Sequence, residues 1–203
     1  MQIATNLGAA GLAAAVPIFI AFLLYNRQDS KINTGTWVIL AVGDSLDAWS
    51  YFLMTGEELL KNVVPLCFAA GSIITFVIAI VRGRFSWPRA PDWFIVFIDL
   101  GITALWHEHV LVPDATVANL AYQGTTLLAF VPMCRALMTR EETETVAPWA
   151  LWTMGYVAFF MTYALSGARW EEGVYPVVGL VTHGLILGFA LQYRLDMRRL
   201  LKF

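Results

Sequence analysis

The chain has 203 residues, 59% of them hydrophobic and 14% charged, with a formal net charge of −2. Its mean hydropathy of +0.65 reflects more apolar surface than a soluble domain of this size can cover, so the composition points to a polytopic membrane protein. The small charge and the lack of any basic stripe exclude a nucleic-acid binder.

Apolar segments of roughly 18–22 residues follow one another along the chain, each about one bilayer thickness at 1.5 Å per helical residue. There are seven, at 6–25, 36–55, 63–81, 93–110, 116–138, 148–166 and 174–193, and the polar links between them are too short for a soluble domain. The first carries no Lys or Arg before Arg27, so it lacks the basic start of a cleaved signal peptide and reads as a retained helix. The second, WVILAVGDSLDAWSYFLMTG at 37–56, holds Asp44 and Asp47 near its middle. An acid at that depth costs about 2.5–3.5 kcal/mol on insertion scales and so faces a cavity or a partner. The link at 83–92, GRFSWPRAPD, ends in Asp92, which suits capping of the fourth helix.

The fourth segment carries Asp99 and ends in His107, Glu108 and His109, but residues i and i+2 of a helix point apart, so no metal site is expected there. Cys67 and Cys134 fall inside apolar segments and make neither a disulfide framework nor a metal site. No phosphate-binding or dinucleotide glycine motif occurs, no nucleophile–base pair assembles, and no span holds a lysine for a retinal Schiff base. The expectation is therefore a protein that is not an enzyme and uses no cofactor.

Charge sets an orientation for seven spans. One face collects Arg27, Lys31, Arg82, Arg84, Arg89, Arg135, Arg140, Arg194, Arg198, Arg199 and Lys202, eleven of the 13 basic residues, and the other only Lys61 and Arg169. The positive-inside rule then places the N-terminus outside and the C-terminus in the cytoplasm of a cell (inner or plasma) membrane.

The two halves match each other. Displaced by 115 positions, Val16 and Pro17 fall on Val131 and Pro132. Displaced by 112, WVILAVGDSLDAWSYFL lies over WALWTMGYVAFFMTYAL, which puts Trp37 on Trp149, Gly43 on Gly155 and Tyr51 on Tyr163. Displaced by 111, Pro65 falls on Pro176, Val63 on Val174 and Ala79 on Ala190. Segments one to three thus repeat as five to seven, and the fourth inverts the chain so that both copies run parallel. The expected fold is all-α: a three-helix bundle at 1–82, a linker and inversion helix at 83–112, and a second bundle with a cytoplasmic tail at 113–203.

This three-plus-one-plus-three plan resembles the SWEET and PQ-loop transporters over nearly the whole chain. Pro17 and Pro132, followed by the charged links RQDSKINTGTW and REETETVAPW, resemble the family's PQ positions and what comes after them. The family's proline tetrad would place Pro17, Pro132 and Pro148 at three corners and Thr36 at the fourth. Ile18 and Met133 stand where its glutamine follows proline, and its sugar-binding asparagines have no counterpart, so the resemblance supports the fold better than it supports sugar as substrate. It also implies that the fourth helix stays outside the pore, so Asp99 reads as a structural partner within its own half.

Trp37, Asp44 and Tyr51 recur every seven residues, and Asp47, three from Asp44, shares their stripe; Trp149, Tyr156 and Tyr163 form the matching stripe of the second half. Two such stripes suit a cavity between the halves, although the acids also suit structural pairing. His183, whose repeat partner is Ser72, reads either as an interhelical donor or as part of an Asp–His proton or ligand site. Asn119, Tyr122, Gln123 and Thr126 share a face of the fifth segment and read either as interhelical bonds or as a polar access path.

The expectation is a small-solute transporter for a sugar, vitamin or similar polar metabolite, embedded in the lipid bilayer and working by alternating access. Solute would meet Asp44, Asp47, Trp37, Tyr51, Trp152, Tyr156, His183, Gln123 and Asn119. Pro17, Pro65, Pro132, Pro148 and Pro176 would be hinges. A proton-coupled version using Asp44 and a peptide receptor like the KDEL receptor are the alternatives, and assembly into a homo-oligomer stays open.

Overall fold

Every described element is helical, and the apolar segments account for all the long ones. The computed structural model describes residues 2–27, 34–82, 87–108, 114–139 and 144–200. Lys31, Arg84, His109, Arg140 and Lys202 lie outside the described residues, as do the side chains of Arg198 and Arg199.

The helices are α1 (Gln2–Arg27), α2 (Thr34–Met54), α3 (Val63–Val81, after a 3-10 turn at Leu59–Asn62), α4 (Ala90–His107), α5 (Ala115–Ala129), α6 (Val131–Met138), α7 (Val146–Ser166) and α8 (Trp170–Leu200). Their ends have local causes. Asp92 caps α4 from inside its first turn, accepting the Arg89 N–H at 2.7 Å, instead of standing before the helix. Asp114 precedes α5 and accepts the N–H groups of Thr116 and Val117 at 2.9 and 3.0 Å. Gly167 ends α7 at φ 65°, a left-handed conformation that a Cβ disfavours.

The prolines divide into two kinds. Pro132 has no N–H to give the preceding turn, and the fifth segment breaks there at Phe130 into α5 and α6. Pro17 and Pro176 also lie inside their helices. Pro65 and Pro148 instead occupy the first turns of α3 and α7, where an N–H has no intrahelical partner to lose, so neither interrupts a helix as a hinge would.

The helices pack in the same order in both halves. In the first, α3 lies between α1 and α2; in the second, α8 lies between α5 and α7. Across the halves α1 packs on α7 and α2 on α5, while α4 lies against both α2 and α5. Close approach of α1 and α7 depends on Gly155, where an added Cβ would stand 2.4 Å from Ile18 Cγ1 and 3.1 Å from the Ala14 carbonyl oxygen.

Polarity is distributed inside out. Asp44, Asp47, Asp99, Asn119, Gln123 and His183 are buried, whereas Phe19, Leu23, Phe94, Phe97, Met154 and Leu185 are exposed on the outer helix faces. Among the described residues, Lys61–Val81 and Trp170–Asp196 are long and apolar enough to cross a membrane, with mean hydropathies of 2.5 and 1.8.

Candidate functional site

Halfway along the helices, between the two halves, lies a narrow cavity of ≈ 10 Å³, room for about one water. Three repeat-matched pairs line it: Trp37 with Trp149, Asp44 with Tyr156, and Ser72 with His183. Phe22, Leu40, Phe68, Thr126 and Phe130 complete the lining. Each pair joins residues that the displacement of 112 or 111 positions also matches in the sequence.

Asp44 accepts a hydrogen bond from the Ser72 hydroxyl at 2.5 Å, which ties α2 to α3 inside the first half. His183 lies amid aromatic rings, with centroids 4.9 Å from Tyr156, 5.1 Å from Phe130, 5.2 Å from Phe68, 5.5 Å from Trp149 and 5.7 Å from Trp152. Its Nδ1 lies 2.9 Å from the Gly179 carbonyl oxygen, which can only accept, so the Nδ1 proton points there, and in the neutral form of the ring Nε2 is then the acceptor. Tyr156 lies flat on α8 at Gly179, where an added Cβ would stand 2.0 Å from Tyr156 Cε1.

Asp47 does not line the cavity. Asn119 Nδ2 donates to its Oδ1 at 2.5 Å and Gln123 Nε2 to its Oδ2 at 2.6 Å, and Asn119 also reaches the Asp47 carbonyl and Ser50. Asp47, Asn119 and Gln123, expected at the solute, thus form a buried clamp between α2 and α5. The cause is angular: three residues advance a helix by about 300°, so Asp47 points about 60° away from Asp44, into the α2–α5 seam.

Two closures lie above and below the cavity. On the side of the α2 N-terminus, Tyr25, Trp37, Trp149 and Trp152 pack together, with centroids 5.1 Å apart for Tyr25–Trp37 and 4.7 Å for Trp149–Trp152. Glu144 fastens them, accepting from Tyr25 Oη at 3.2 Å and Trp149 Nε1 at 2.9 Å, while Trp37 Nε1 donates to Tyr25 Oη at 3.2 Å. Trp152 therefore belongs to this closure and touches His183 from behind.

On the opposite side Tyr51 packs on Tyr175 at 5.3 Å and on Phe159 at 6.3 Å. Its hydroxyl donates to the Glu172 carbonyl oxygen at 3.2 Å. That carbonyl is four residues before Pro176, so the proline leaves it without its helical N–H, and Tyr51 from the other half takes the place. Arg169 Nη2 donates to the Met54 carbonyl oxygen at 2.9 Å, and the Glu172 carboxylate lies 3.6 Å from Arg169 Nε and 3.7 Å from Lys61 Nζ. Tyr51 is thus a closure residue, one helical stage away from the cavity.

Asp99 is fully buried against α2, its Oδ2 3.2 Å from where a Cβ on Gly43 would stand. The side chain set against its carboxyl is Thr125 of α5, not one from its own half as expected. Tyr163, the last member of the second stripe, packs on Gly173 at the α7–α8 contact, away from the cavity.

Ser72 was legible only through its repeat match to His183. Phe22, Phe68 and Phe130 carried no signal among 13 phenylalanines, and Glu144 lay unmarked in a polar link. The chain matches no protein-family model, no curated protein and no solved structure.

Proposed function

We propose that the chain is a seven-span membrane transporter of small solutes, working by alternating access between the bundles at 1–82 and 113–203. One observation carries this reading: a narrow central cavity lined by matched residues of both halves, with a cross-half closure on either side. Alternating access requires those three parts, a shared site and two barriers that open in turn.

Further observations support it. The outward apolar faces with buried acids suit lipid as the surrounding medium, since water would penalise that surface. Packing of α1–α3–α2 and α5–α8–α7 in like order supports two parallel bundles and, with them, the resemblance to SWEET and PQ-loop transporters. Arg27, Arg82, Arg89, Arg135 and Arg194 at one end, against Lys61 and Arg169 at the other, support a cytoplasmic C-terminus. Pro17 and Pro176 inside α1 and α8, and the break before Pro132, are the places where a bundle would bend. A receptor for a peptide carboxylate would need basic groups, and the described lining holds Asp44 and no Lys or Arg.

The test is uptake into proteoliposomes of labelled glucose, nicotinamide riboside, lysine and choline, against protein-free vesicles. Uptake of at least one probe, lost in Asp44→Asn, is expected; none above background for the whole panel sinks the reading. Repeating the flux with and without a proton gradient separates the coupled version from a facilitator, and an unchanged flux removes the coupled one.

A further inference from the structure

We propose that the cavity takes a small organic ammonium ion, held between the Asp44 carboxylate and the aromatic rings around it; this rests on the transporter reading and names its substrate class. Among the described residues, the lining contains one formally charged side chain, Asp44. An uncharged solute would leave that carboxylate buried with the Ser72 hydroxyl as its hydrogen-bond donor. A cation supplies the opposite charge that a buried carboxylate needs.

The remaining polar groups also favour a cation over a sugar. Both lining indoles spend their N–H groups in the closure, Trp37 on Tyr25 and Trp149 on Glu144. Ser72 spends its proton on Asp44, and His183 Nδ1 faces the Gly179 carbonyl. What stays available is weighted to acceptors, Asp44 and His183 Nε2, with the hydroxyl of Thr126 as a donor, since the Tyr156 hydroxyl pairs with Tyr175. A sugar brings several hydroxyls, each asking for donor and acceptor in turn, and this lining answers few of them. An ammonium ion asks for a carboxylate and for ring faces. Phe22, Trp37, Phe68, Phe130, Trp149 and Tyr156 offer six rings with their polar tips turned elsewhere or absent, the surroundings that recognise alkylammonium groups.

At ≈ 10 Å³ the narrow cavity is smaller than any such ion. Loading therefore accompanies the opening of one closure and the outward movement of rings from His183.

The experiment compares choline and tetramethylammonium with glucose and with dimethylbutanol, the uncharged carbon isostere of choline, by thermal shift of the purified full chain. Labelled choline and glucose uptake into proteoliposomes follows. Expected are half-maximal shifts at concentrations at least about tenfold lower for choline than for its isostere, no shift with glucose, and choline uptake. Asp44→Asn should lose the choline shift while its melting temperature without ligand stays near that of the parent. Equal binding of choline and isostere, measured on the parent alone, overturns the proposal. So does glucose uptake without choline uptake, which leaves the transporter reading standing. Absence of uptake for the whole panel instead overturns the transporter reading and this one with it.

Discussion

Asp44 and Asp47 lie three residues apart on one helix, are both buried, and have opposite surroundings. Asp47 is met by two amide donors from α5 and makes a joint between the halves. Asp44 is met by one hydroxyl from its own half and otherwise faces a cavity. A buried acid with its lone pairs taken is a structural part, whereas one with bonding capacity turned into a cavity keeps that capacity for whatever enters it. Residue type and depth do not distinguish the two; the neighbouring helix does.

The comparison breaks most visibly at the clamp. Asp47→Ala strands the amides of Asn119 and Gln123 between α2 and α5, and a loss of about 3 kcal/mol or more is expected in chemical unfolding of the purified protein. A loss below about 1 kcal/mol would show that Asp47 is no joint. Gly155→Val comes next: its side chain meets Ile18 and the α1 backbone, and over-packing of this sort costs about 1–3 kcal/mol in the same measurement.

Tyr51→Phe removes one bond across the second closure and should cost about 1 kcal/mol. Pro176→Ala restores an N–H for the Glu172 carbonyl, so in that background the cost of Tyr51→Phe should shrink, and a double-mutant cycle reads the coupling. Additive losses would separate the tyrosine from the proline.

Asp44→Asn sharpens the contrast from the other side. The amide oxygen still accepts from Ser72, so stability should stay within about 1 kcal/mol of the parent while solute uptake falls away. Equal damage from Asp44→Asn and Asp47→Ala would erase the distinction drawn between them. Lys61→Met should matter least, within about 0.5 kcal/mol, because its partner Glu58 is exposed and Glu172 keeps Arg169 as its second cation.

The helices and the match between halves were readable from residues alone. Apolar runs bounded by charged links place α3 at 63–81, as its helix runs, because such a run has little other way to satisfy its backbone. The seven-residue recurrence of Trp37, Asp44 and Tyr51 names one stripe of α2, and the repeat pairs Ser72 with His183 before any contact is known. The break at Phe130 was less legible, since a proline inside an apolar run either bends a helix or divides it.

What the sequence by itself determined is the angle between residues on each helix: 3.6 residues per turn separates Asp44 from Asp47 by about 60° whatever surrounds them. It did not determine how far α2 is rotated about its own axis. That was decided by α5 pressing Asn119 and Gln123 onto one side of the helix, and by α3 and α8 bringing Ser72 and His183 to the other. Periodicity is a local property of the backbone, whereas the direction a stripe faces is set by packing against other helices, whose contacting residues lie 28 residues away for Ser72 and 76 for Gln123. Only that packing made one acid a joint and turned the other to a cavity.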